Sequence, residues 1–208
     1  VVPSGVVNGD IKINYKGAMI IAPGSAYVIN GDVEYWNPFS SGRIEIAKDS
    51  VLTINGNLTL PSSSSSDVTN NGTLICNGES NCAGVTNDGT IVVNGDFGGR
   101  ITQTLETAEI HFRGNVETDY RDLVTGGTFI FDGTEMQQVH VAQAYNVEVL
   151  NPSGIIGSST EELIFPGSIY LYGHMDLHGN PISDVEIHMR DGATFAEGSD
   201  YNMIVIDT

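Results

Sequence analysis

Basic residues are scarce in this chain. Its 208 residues hold only 8 Lys and Arg against 26 Asp and Glu, a formal charge of −18 at pH 7. Phosphate backbones are gripped by clustered cations, so nucleic acid is excluded as a partner. An anionic membrane surface is disfavoured for the same reason. Long apolar runs are missing as well: no stretch reaches the roughly 18 residues that suggest a bilayer span, so no membrane insertion of this segment is expected. Charged residues amount to 16 %, below the roughly 25 % of an ordinary domain. Gly, Asn, Ser and Thr take their places, which points to many turns and few helices. The sequence also lacks GxSxG, HExxH, P-loop and Cys–His arrangements, and an enzyme is not expected. It opens at Val1-Val2-Pro3 without Met or a charged-then-apolar leader, which reads as a processed protein or an excised fragment.

Cysteine is limited to Cys76 and Cys82. Their spacing is too long for a CxxC half-site, and no further Cys or nearby His completes a metal set. A local Cys76–Cys82 disulfide in an exported protein is the expected pairing. The alternative is one buried thiol and one loop thiol.

What the chain does have is a repeat. Apolar residues alternate around an Asn-Gly in Val7-Asn8-Gly9-Asp10-Ile11, Ile29-Asn30-Gly31-Asp32-Val33, Ile54-Asn55-Gly56-Asn57-Leu58 and Val93-Asn94-Gly95-Asp96-Phe97. Cys76-Asn77-Gly78-Glu79 and Phe112-Arg113-Gly114-Asn115-Val116 continue it, and degenerate copies run to the C-terminal end. Steps between copies are 17 to 25 residues, with a mean near 20. Repeats of this length point to a stacked architecture.

Asn-Gly between apolar runs ordinarily marks a hairpin. A two-residue hairpin would set Ile29 opposite Asp32, Ile54 opposite Asn57 and Val93 opposite Asp96, mixing apolar and polar side chains on one face. Read straight through, parity is unbroken: Leu52, Ile54, Gly56, Leu58 and Leu60 all point one way. The glycine is then expected as an inward residue where the strand turns a corner. Strands that bend without reversing make a coil that stacks on the next coil. The predicted fold is all-β: a single right-handed parallel β-helix (β-solenoid) over residues 1–208, about ten coils of ~20 residues and about 50 Å long at the usual strand spacing. Val7, Ile29, Ile54, Val93, Phe112, Phe131 and Leu171 form the predicted core column. Asn8, Asn30, Asn55, Asn77 and Asn94 form a predicted hydrogen-bonding ladder outside it. Residues 61–67 read as a loop leaving the coil, and residues 118–124 as a corner loop.

Segments such as 50–60 and 127–134 resemble repeats of secreted bacterial surface proteins of the filamentous-haemagglutinin and autotransporter adhesin type. Residues 131–149 are similar to a unit common in large cell-surface repeat proteins. The resemblance implies a right-handed parallel β-helix, export to the cell surface, and an adhesive or stalk role toward a host surface or polysaccharide. It identifies no ligand.

Two groups of side chains are candidate sites. Adjacent carboxylates after the corner glycine, Asp10 and Asp32, would repel at about 5 Å unless solvated or bridged by a hard cation such as calcium. A solvated acidic edge is the alternative. The second group is His174-Met175-Asp176-Leu177-His178, with His174 and Asp176 as metal candidates and His188 expected one coil later. Tyr170 and Tyr172 extend this expected outer face and could stack on sugar rings, with His178 and His188 as further ligand contacts. Apart from calcium, no cofactor is expected. A carbohydrate-active β-helix, either binder or lyase, is the rival reading. Such enzymes group carboxylates with Arg or Lys on one outer face, whereas the arginines here are scattered along the sequence.

Overall fold

Strict period-two alternation presents one side chain inward and the next outward, and the Val, Ile and Thr at these positions favour extended backbone. The computed structural model describes residues 4–36, 42–60, 67–118, 123–141, 143–157, 163–164, 167–177, 182–183, 185–196, 200–201 and 204–207. Among them there is no α-helix. Strands pair in parallel, coil on coil, and no hairpin closes at the Asn-Gly sites. The chain is a parallel β-solenoid.

Three walls enclose the core. The first is an 11-stranded sheet running from Ser4–Asn8 through Ala26–Asn30, Val51–Ile54 and Thr73–Cys76 to Ile204–Asp207. The second carries Ile11–Ile13, Val33–Tyr35 and Leu58–Leu60, then the longer Ser80–Asn87 and Phe97–Gln103, and continues to Thr194–Ala196. The third begins with Ala18–Ile21, Arg43–Ile46 and Val68–Asn70. It continues in residues 85–87, beyond a register shift that lets one strand serve two walls.

Register fixes the core. Val7, Ile29, Ile54, Cys76, Val93, Phe112, Phe131, Val149, Leu171 and Met189 are successive partners in the first wall. Most of this column is fully buried, but Val7, in the end coil of the described structure, is 39 % exposed. Phe112 packs edge-on against Phe97 and Phe129, with centroids 5.3 and 5.4 Å away, and stacks on Phe131 at 5.5 Å. Each such side chain contributes on the order of 2 kcal/mol by leaving water. A small apolar cavity of about 20 Å³ lies between Phe131, Val139, Ile155 and Met175.

The corner between the first two walls carries two side-chain ladders. Asn30 Nδ2 donates to Asn8 Oδ1 at 2.8 Å, Asn55 to Asn30 at 2.7 Å, Asn77 to Asn55 at 2.6 Å and Asn94 to Asn77 at 2.5 Å. The Asn ladder expected from the sequence is thus present. One residue past each glycine, Asp10 Oδ1 accepts the Asp32 N–H at 3.0 Å, Asp32 Oδ1 the Asn57 N–H at 2.7 Å, and Asn57 Oδ1 the Glu79 N–H at 2.9 Å. Asp96 accepts from Asn115 at 2.7 Å, and Asn115 from Gln138 at 2.8 Å.

Between the ladders the glycines stack on one another, with Gly56 N–H donating to Gly31 O and Gly78 N–H to Gly56 O. They are half-exposed rather than inward, which corrects the sequence reading. Their missing side chain would point along the rod: a Cβ on Gly78 would stand 2.7 Å from the Gly56 carbonyl oxygen and closer still to Asn57 Oδ1. Glycine is required here by axial stacking. Gly98 differs, because a Cβ there would meet only the Asn81 side chain, at 4.0 Å. Gly78→Ala is therefore expected to cost about 2 kcal/mol through overpacking against backbone. Gly98→Ala should change stability by less than about 0.5 kcal/mol. Thermal unfolding followed by circular dichroism compares the two, and equal melting temperatures would contradict axial stacking.

Candidate functional site

The alternation that builds the walls also decides which polar residues can meet. Asp10 and Asp32 lie on neighbouring coils as expected, but each gives one carboxylate oxygen to the backbone N–H of the coil above. The acidic row is thus part of the corner. Among the described residues, no group of three or more His, Cys, Asp or Glu is arranged to hold a metal ion.

A corner at Tyr172-Gly173 divides the second predicted group. Tyr170 stands on the first wall in the Ser168–Leu171 strand, whereas His174 and Asp176 stand on the second in His174–Asp176. His188 is indeed one coil later, but its partner is Tyr170. The two rings stack at 4.7 Å with an 8° interplanar angle. Arg190 lies over the Tyr172 ring at 5.4 Å. One face of each tyrosine is therefore taken by a side chain of the next coil. His174 Nδ1 lies 2.6 Å from Thr194 Oγ1, and Asp176 borders the small core cavity. His178, Pro61 to Ser66 and Asp119 to Asp122 lie outside the described residues.

The expected Cys76–Cys82 disulfide is not formed. Both cysteines are free and buried. Parity explains this: Cys76 takes the place of Ile54 and Val93 in the first wall, and Cys82 that of Leu60 in the second. Each acts as a small core hydrophobe. Burial pushes the Cys76 thiol up to about 11 and the Cys82 thiol up to about 12. Neither thiol should react with an aromatic disulfide reagent in the native chain at pH 8, and both should react once guanidinium unfolds it. Rapid native labelling would contradict the packing.

Sequence reasoning missed three polar constellations. Asn70, Asn87 and Gln103 form a second ladder inside the corner between the third and first walls. Asn70 donates to Asn87 and Asn87 to Gln103, both at 2.8 Å, and all three are buried. Farther along, Gln137 Nε2 donates to the Phe112 and Gly114 carbonyls, and Asn151 donates to Gln137. The signal was present in the sequence as Asn70-Asn71-Gly72 and Asn87-Asp88-Gly89, a polar-x-Gly recurrence one strand away from the main repeat.

The second missed group is an outer clasp on the first wall. Arg113 donates to Asn94 Oδ1 at 2.9 Å and reaches both Asp132 oxygens at 3.2 Å. His111 Nδ1 lies 3.0 Å from Asp132 Oδ2, and its Nε2 lies 3.8 Å from Glu109. Arg113 therefore takes over where the Asn ladder ends.

The third is a buried carboxyl. Asp67 is 1 % exposed, and its Oδ2 has no partner. Its Oδ1 lies 2.7 Å from the Tyr35 hydroxyl, which also lies 2.6 Å from the Gly42 carbonyl. A hydroxyl with one proton cannot donate to both. Protonated Asp67 relieves the conflict by donating to Tyr35 while Tyr35 donates to Gly42. Burial raises the Asp67 carboxyl from 3.8 to about 6, against the pull of Tyr35, the Ala83 and Gly84 N–H groups and Arg100. A raised folded-state value stabilises the fold fully below pH 3.8, and that contribution is lost as pH rises through about 6. Asp67→Asn should consequently be more stable than the parent at pH 8, by on the order of 2 kcal/mol, with the gap closing toward pH 4. Denaturant melts at the two pH values check this, and a pH-independent difference would refute it.

No family model, no curated protein and no solved structure matches the chain, so the functional reading rests on its own side chains.

Proposed function

We propose that this solenoid is a non-enzymatic stalk or adhesive module of a secreted bacterial surface protein. Its work is mechanical: it holds a contact surface at a fixed distance and resists unfolding. One observation carries the reading, the side-chain hydrogen bonding that runs from coil to coil at the corner between Asn8 and Asn94. Parallel strands already bond coil to coil through their backbones, and the ladders extend the same axial bonding to side chains. Exposed carboxylates and amides that would otherwise be candidates for chemistry serve this purpose.

The carbohydrate-active alternative needs carboxylates beside a free basic group. The clasp of His111, Arg113 and Asp132 is the nearest approach among the described residues, and its guanidinium is already held by Asn94 and Asp132. That arrangement supports a structural role.

A glycan array, followed by incubation of the chain with each polymer it binds, tests the proposal. Binding without chain cleavage is the expected outcome, and a wholly negative array would restrict the role to a stalk. Release of new reducing ends or unsaturated products would overturn the non-enzymatic reading.

A further inference from the structure

The proposal rests on the adhesive reading above and names where contact is made and with what. The structure assigns a glycan-binding platform to the corner between the second and third walls in the first two coils, built on Tyr15 and Trp36 and selective for uncharged sugars.

Trp36 is the sole tryptophan of the chain, and it is 64 % exposed; Tyr15 is 60 % exposed. Neither ring belongs to the buried core. Rings of this kind bury a large apolar area on contact while their polar tips stay wet, which suits them to ligand surfaces. Neighbouring backbone brings the two together. Trp36 N–H donates to the Ile13 carbonyl, so Trp36 follows the second wall one coil beyond the turn that carries Tyr15.

That turn is held in a costly shape. Gly17 N–H donates to the Asn14 carbonyl at 2.8 Å, and Asn14 Oδ1 accepts the Tyr15 N–H at 2.7 Å. Lys16 stands at φ 57°, in the left-handed region that residues with a Cβ rarely occupy. This local geometry sets both Tyr15 and Lys16 into solvent. Lys16 Nζ lies 5.3 Å from the Tyr15 ring centroid, and Lys12 Nζ lies 6.0 Å from that of Trp36. Lys12 is also paired with Glu34 at 2.9 Å.

Charge selects the ligand class. A chain of −18 repels polyanions at long range, and Glu34 offsets Lys12 locally. Uronate or sulfated polymers are therefore poor partners. Pyranose rings present C–H faces to aromatic surfaces and hydroxyls to ammonium and carboxylate groups, and both kinds of group are present here. A protein partner is less well served, because the centres of protein interfaces are depleted of lysine and here each ring carries one.

Trp36 makes the test direct, since all tryptophan emission comes from the proposed site. Neutral hexose and N-acetylhexosamine oligomers, with uronate oligomers alongside, are titrated into the chain while fluorescence is followed. The same oligomers are presented on an array to the parent, Trp36→Ala and Tyr15→Ala. The expected result is binding of a neutral oligomer with a blue shift of Trp36 emission. Affinity should fall at least tenfold in either variant, while the melting temperature of both stays unchanged. Neutral-oligomer binding that leaves the emission unmoved and survives both substitutions would overturn the platform and leave the adhesive reading standing. Preferential uronate binding would overturn the charge selection, binding only to proteins would overturn the ligand class, and absence of any binding would overturn platform and adhesive reading together.

Discussion

Axial stacking at the Asn-Gly-Asp corner is the constraint on which the rest of the structure depends. Three rows run side by side there: asparagine amides outside, glycine backbones in the middle, and Asp or Asn carboxyl and amide oxygens beyond. Each row bonds a coil to the next, and each demands its residue type. An amide both donates and accepts, so it can be repeated indefinitely, whereas a carboxylate cannot donate and must find a backbone N–H instead. This is why Asn precedes the glycine and Asp is tolerated after it. The glycine between them admits no Cβ because the coil below occupies that space.

With the corner fixed, register follows for both adjoining walls. A slip by one residue would turn Ile54, Val93 and Phe112 outward and at the same time break every rung. Hydrophobic burial supplies most of the stabilisation, but burial alone would accept Ile against Leu in several registers. The ladders do not accept such alternatives. Buried rungs such as Asn70–Asn87–Gln103 act in the same way at another corner, where an unmade hydrogen bond would cost about 1–3 kcal/mol.

Parity and repeat length were legible in the sequence because they depend on backbone alternation alone. The core column from Ile29 to Leu171, the parallel pairing and the outer Asn ladder all followed from it. What depends on three-dimensional neighbours was less legible. The axial direction of the corner glycines is one such feature, because inward and axial directions are indistinguishable in a one-dimensional pattern. Cys76 and Cys82 stand six positions apart, a spacing that suggests a bridge, yet the intervening corner puts them in two walls as separate core residues. That same kind of corner, at Gly173, parts Tyr170 from His174, so their apparent common face does not exist. Long-range partners such as Tyr35 and Asp67, 32 positions apart, leave no trace in a repeat.

These allocations also change the meaning of the charge. Asp10, Asp32 and Asp96 accept backbone N–H groups, and Asp132 holds an arginine and a histidine. Part of the acidity is thus spent on joining coils, and Asp67 is held where its ionised form is disfavoured. The remaining acidic side chains leave the rod with a strong negative charge, and like charge opposes the close approach of two such rods. Against such a background, the exposed Tyr15 and Trp36 rings, each beside a lysine, are local departures from the negative surface.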